Sequence, residues 1–188
     1  MRTLIIAAIV VVPLLAAADS TKDRLGAGEI IVKTSEVKGT STPKLRAMAV
    51  VDAAPEKIWP IIDKCADYPK TMVRIAAAEE LSRKGKTVRC RVTVDMPFPL
   101  GDLTAVTEAT HTVKPGELWE RKWKLVEGDY RLNSGSWRLV PFDDAKTRTL
   151  VVYEVHAEPN ISIPDGIKKA AQQKSIPELM ENLRAQVK

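Results

Sequence analysis

Lys86–Val113 reads KTVRCRVTVDMPFPLGDLTAVTEATHTV. On both sides of the central MPFPLGD, apolar and polar residues alternate with a period of two, the pattern of a strand with one buried face. Val88, Cys90, Val92, Val94 and Met96 form the first apolar set. Leu103, Ala105, Ala109 and Val113 form the second, with His111 in phase. Two such runs around a short connection make an antiparallel hairpin. Pro97 and Pro99 cannot donate to a ladder, so pairing stops there. Gly101 allows the return turn, and Asp102 offers acceptors to backbone N–H groups. Hairpin tips face water and are usually polar, yet this one carries Met96, Phe98 and Leu100.

The same grammar extends outward. From Val73 to Glu158 turn signals recur at Lys84-Gly85-Lys86, Lys114-Pro115-Gly116, Glu127-Gly128-Asp129 and Asp143-Asp144. Strands of this length joined by tight turns predict a large, curved antiparallel meander. The inward sets continue as Trp119, Trp123 and Leu125 with Arg121 in phase, Trp137 and Leu139 with Asn133 in phase, then Val151, Tyr153 and Val155. A bulge would invert any of these assignments. Glu108, Glu154 and His156 fall out of phase and are expected at solvent.

Upstream, Ile30–Lys33 reads as a short strand and Lys44–Val51 (KLRAMAVV) as a better one. Pro55 and Glu56 then open a helix. Ile58, Ile62 and Cys65 recur on it at helical spacing, Pro60 should kink or shorten it, and Asp67-Tyr68-Pro69 ends it. Downstream, Asp165 can cap a helix, and Ser175 and Glu178 stand in capping-box spacing. Ile176, Leu179, Met180, Leu183 and Val187 form one apolar face, so a long amphipathic helix, broken near Pro177, closes the chain. The expected fold is therefore α+β, a curved antiparallel sheet wrapped around a long C-terminal helix. One helix does not fill such a sheet, and the space left over is an apolar cavity suited to a small hydrophobic ligand.

The chain has 188 residues, 45% of them hydrophobic, enough for one globular domain. Arg2, the apolar stretch Leu4–Leu15 and Ala16-Ala17-Ala18 have the form of a secretory signal peptide cleaved near Ala18, with an uncleaved anchor as the alternative. The stretch is short of the about 20 apolar residues a membrane span needs. The expected organisation is a signal peptide at 1–18, an arm at 19–43 and the main domain at 44–188, in a periplasmic or secreted protein. Cys65 and Cys90 both fall on apolar faces, so they read first as two buried thiols, although an oxidising compartment also permits a disulfide. No CxxC pair or metal-ligand spacing occurs. The net charge of +5 is spread along the chain, which suits a solvated surface or transient contact with anionic lipid headgroups and is not a nucleic-acid footprint.

Four stretches together resemble one known superfamily. They are Val51–Trp59 (VDAAPEKIW) with Asp67-Tyr68-Pro69, the Pro97–Asp102 hairpin (PFPLGD), Glu127–Leu139 (EGDYRLNSGSWRL) and Thr147–Val155 (TRTLVVYEV). Over Lys44–Lys188 the chain resembles START-like, or SRPBCC, proteins, which include polyketide cyclase and coenzyme Q-binding domains. The resemblance implies the helix-grip fold, with a tunnel under the C-terminal helix lined by inward sheet residues. Carried onto this sequence, the implied ligand-binding set is Val92, Val94, Met96, Phe98, Leu103, Ala105, Arg121, Trp123, Trp137, Tyr153, Met180 and Leu183. It implies carriage or sequestration of a lipid, isoprenoid or quinone-like molecule, and no cofactor.

Catalysis has thinner support. The two histidines, His111 and His156, lie in no hydrolase or zinc-protease motif. A cyclase or aromatase could be built from His111, Arg121 and Tyr153 polarising an enolate. A third reading is an interaction domain with a filled core. The apolar hairpin tip fits a gate at the tunnel mouth or a foot on a membrane, and equally a lid packed permanently on the helix.

Overall fold

The computed structural model describes residues 15–187. Eight strands form one antiparallel sheet: β1 (Ile31–Ser35), β2 (Lys44–Val51), β3 (Ile75–Lys84), β4 (Thr87–Val94), β5 (Leu103–Lys114), β6 (Leu118–Gly128), β7 (Tyr130–Pro141) and β8 (Thr149–Pro159). Their spatial order is β1-β2-β8-β7-β6-β5-β4-β3, so the meander β3–β8 crosses the sheet in sequence and β2 joins on at β8. α1 (Leu15–Gly26) precedes β1. α2 (Pro55–Asp63), a 3-10 turn at Cys65–Asp67 and the short α3 (Tyr68–Thr71) carry the chain from β2 to β3. After β8 come α4 (Asp165–Ala170), a π-helical turn at Ala171–Ser175 and α5 (Ile176–Ala185). This is the α+β helix-grip arrangement.

The period-two sets do face inward. Ala47, Ala49 and Val51 of β2, Trp119, Trp137, Leu139 and Val151 from the central strands, Ile58 and Ile62 of α2, and Leu179, Met180 and Leu183 of α5 form one core cluster. Val113 is the exception. It is 43% exposed, because β5 runs past the edge of the core there. Register shifts mark bulges, one of them between Tyr130 and Leu132. That bulge turns Tyr130, out of phase with Trp137 by simple alternation, into the buried interior. α2 runs on past Pro60 and stops at Asp63, before Cys65 and before the expected end at Asp67-Tyr68-Pro69.

Three expectations are corrected. Cys65 and Cys90 are not free thiols but a disulfide, with Cα atoms 6.4 Å apart. Each lay correctly on an apolar face, but sequence alone does not show that the turn after α2 sits over β4. Ser175 is itself helical and makes no cap; its Oγ accepts a hydrogen bond from Arg74 Nε at 3.1 Å. The π turn runs the backbone straight into α5, leaving no free N-terminus to cap. His156 is 9% exposed rather than at solvent. The segment after β1 folds over the outer face of β8, where His156 Nε2 meets Thr42 O at 3.0 Å and Glu158 accepts from Ser41 N and Oγ. Glu108 and Glu154 lie half-buried on that outer face, paired with Arg89 and Lys44.

The arm is built into the sheet. β1 pairs along β2, and Leu25 of α1 packs with Ile31, Met48, Val50 and Val152 on the face opposite the main core. Of the apolar stretch Leu4–Leu15, all but Leu15 lies outside the described residues; α1 spans the expected cleavage point. No helix among the described residues is long and apolar enough to cross a membrane.

Candidate functional site

Between the concave face of the sheet and its helical cover lies a cavity of about 240 Å³. Its floor comes from alternate positions of five strands: Val92 and Val94, Ala105 and Thr107, Arg121 and Trp123, Asn133 and Trp137, Tyr153 and Val155. Its cover is Tyr68 and Met72 of the α3 region, Val73, and Leu179 of α5. Ile75, Tyr130 and Ala157 complete the wall. Arg74 ties this cover down. Its carbonyl accepts Asp95 N at 2.9 Å, while its side chain reaches Ser175 in the π turn.

The aromatic wall is ordered by stacking and one hydrogen bond. The Trp123 and Tyr153 rings stack at 6.0 Å, and Trp137 lies 4.4 Å from Tyr153. Trp123 Nε1 donates to Asn133 Oδ1 at 2.9 Å. The Trp123 indole lies directly over Gly135 of β7. Tyr68 donates its hydroxyl to Ile62 O at 2.6 Å, which closes the helical side. Burial pushes the Tyr153 and Tyr68 phenols up, and burial with Asp129 nearby pushes Tyr130 up to about 12, so all three stay neutral near pH 7.

Among the described residues, one charged side chain reaches this wall. Arg121 is 2% exposed. Its Nη1 donates to His111 Nε2 at 2.7 Å, and its Nη2 approaches Cys90 Sγ at 3.3 Å. Since Arg is always a donor, His111 Nε2 must accept, which places the imidazole proton on Nδ1. That nitrogen faces Asp63 Oδ1 at 3.1 Å. Asp63 and Glu80 both pair with Arg83, at 2.8 and 2.7 Å. The His111 ring meets the edge of Trp59 with centroids 5.2 Å apart. Burial, and next the Arg121 charge, push the imidazole down to about 4.

This depression carries a pH dependence. Below about 6.5 the unfolded chain takes up a proton at His111, whereas the folded protein does so only near 4. Between those values the unfolded state binds more protons, so stability rises with pH. It is complete above about 6.5 and falls as pH drops toward 4. The melting temperature of the wild type is expected to decline over this window, and that of His111→Gln to decline less. Equal acid slopes for the two proteins would contradict a neutral His111.

Seven of the twelve residues expected at the ligand border the cavity: Val92, Val94, Ala105, Arg121, Trp123, Trp137 and Tyr153. Met180 and Leu183 do not, since α5 turns them into the core while Leu179 faces the cavity. Leu103 and Met96 join Tyr130 in a cluster at the cavity's end. Phe98 is 95% exposed, which rules out a lid packed on the helix. His111 stands behind Arg121 rather than in the wall, so of the cyclase trio only Arg121 and Tyr153 face the cavity. Thr107 and Ala157 follow the strand period and were legible from it. Tyr130 needed its bulge, and nothing in the sequence marked Met72 or Val73.

The family model for polyketide cyclase / dehydrase and lipid transport matches residues 51–184. No curated protein sequence matches the chain. Among solved structures, a STAR-related lipid transfer protein fragment from Xanthomonas axonopodis is 20% identical with a TM-score of 0.71, covering 84% of this chain and 93% of that one. Human STARD10 is 12% identical with a TM-score of 0.70, covering 94% and 80%. The Zhui aromatase/cyclase from Streptomyces sp. R1128 is 15% identical with a TM-score of 0.53, covering 77% and 90%. At these identities the likeness is one of fold.

Proposed function

Because residues 51–184 make the chain a member of the polyketide cyclase / dehydrase and lipid transport family, we propose that it binds a hydrophobic small molecule, a lipid, isoprenoid or quinone-like compound, and carries or sequesters it outside the cytoplasm. The observation that carries this reading is the aromatic and aliphatic cavity closed by α3 and α5. Burial of apolar surface is worth about 25 cal/mol per Å², so a ligand burying several hundred Å² gains several kcal/mol before association costs. Carriage needs only such a cavity and a way in. A cyclase built on His111 loses that group, because the imidazole is committed to Arg121 and Asp63. The leader-like N-terminus and the Cys65–Cys90 disulfide support a location in an oxidising compartment.

The hairpin tip supplies the way in. Met96 packs beside Ala105 and Tyr130, both cavity residues, so the 95–102 connection stands at the cavity's end. Asp129 N bonds Thr104 O, and Asn160 N bonds Asp129 O, which gathers the β6–β7 turn and the segment after β8 at the same end. Phe98, Val126 and Ile161 are exposed there. This apolar rim is the membrane-contacting surface through which ligand exchanges. The test is transfer of a fluorescent single-chain lipid between vesicles. The wild type should accelerate it, and Phe98→Asp should slow it at an unchanged melting temperature. No acceleration by the wild type would contradict carriage; full transfer by Phe98→Asp would contradict the rim.

A further inference from the structure

We infer that Arg121 is an anion-binding post, and that the ligand is a single-chain amphiphile whose head is a carboxylate or phosphate. This rests on the hydrophobic-ligand reading and deepens it. A buried guanidinium without a counter-charge is costly. Arg121 is 2% exposed, and among the described residues its polar contacts are a neutral imidazole and a disulfide sulfur, neither of them anionic. The two carboxylates of its network, Asp63 and Glu80, are gathered on Arg83 at the far end. The network is balanced in formal charge but not in position. Its negative end points away and its positive end forms the cavity wall.

A guanidinium has five N–H donors in a planar fork suited to carboxylate and phosphate oxygens. Two of its nitrogens make lateral contacts, to His111 and Cys90, which fix the plane of the fork. The remainder of the wall is aromatic and aliphatic and suits a chain. Its volume of about 240 Å³ is below the roughly 300–1,000 Å³ of pockets for drug-sized ligands, which favours one chain over two.

The test uses the full chain, stripped of bound lipid, and three probes of equal chain length: decanoate, decyl phosphate and decanol. Binding is read by titration calorimetry. An acid probe should bind wild type about tenfold or more tighter than decanol, the scale of a hydrogen bond to a charged group. Arg121→Gln should lose that preference, binding the acid probes and decanol within about threefold of one another. Arg121→Met should do the same, and acid probes should no longer raise the melting temperature of either variant. Decanoate ahead of decyl phosphate assigns a carboxylate head, and the reverse order a phosphate. Decanol binding wild type as tightly as both acids overturns the inference, as does an acid preference that survives in both variants. Failure of all three probes removes the hydrophobic-ligand reading and this inference with it.

Discussion

Gly135→Ala is expected to destabilise the protein by about 3 kcal/mol, lowering the melting temperature by roughly 6–12 °C, and to abolish ligand binding. Gly135 lies in the middle of β7, paired to Trp123 on one side and Val155 on the other. A Cβ there would stand 2.2 Å from Glu154 O and 2.4 Å from the Trp123 ring. The ring could swing away, but the carbonyl belongs to the neighbouring strand and cannot move without spreading the ladder. The same substitution lifts the indole that stacks on Tyr153 and bonds Asn133, so the cavity wall is lost with the stability. Adding Trp123→Ala should rescue only part of the stability, because the backbone clash remains. A Gly135→Ala protein with wild-type melting and binding would contradict this placement of Trp123.

The second large effect is expected from the cysteine pair. Replacing both Cys65 and Cys90 by Ala should cost about 3 kcal/mol, the loop-closure contribution for residues 25 apart in sequence. Both residues are fully buried, so thiol reagents should label the wild type only after unfolding and reduction. The double variant should melt roughly 6–12 °C lower. Unfolding without reductant separates this account from buried free thiols: labelling of the wild type under that condition would show that the bridge is absent. The bridge fastens the turn after α2 onto β4 beside Arg121, so its removal should also loosen the cover of the cavity.

The inward faces of β4 to β8 were legible because strand periodicity is strict, and a residue's face follows from counting. Val92, Val94, Trp123, Trp137 and Tyr153 were placed in this way. Tyr130 was not, because a bulge is a tertiary adjustment of register and leaves no mark in the apolar pattern. Met180 and Leu183 share an apolar stripe with Leu179, and periodicity alone does not say which edge of a stripe meets the cavity and which the core. The Cys65–Cys90 bridge escaped because each cysteine's face says nothing about which element covers it. His156 escaped because the arm lies over a face that alternation assigns to water. Arg121 was recognisable as an arginine between two tryptophans, but its isolation from carboxylates follows only from where Asp63 and Glu80 fall.

The central claim is that the cavity holds a hydrophobic ligand, and mass spectrometry of organic extracts tests it most directly. The protein is purified without detergent from its native source and extracted while folded. The account predicts a stoichiometric hydrophobic species that is absent from extracts of Gly135→Ala. A folded, wild-type protein that yields no such species would contradict it.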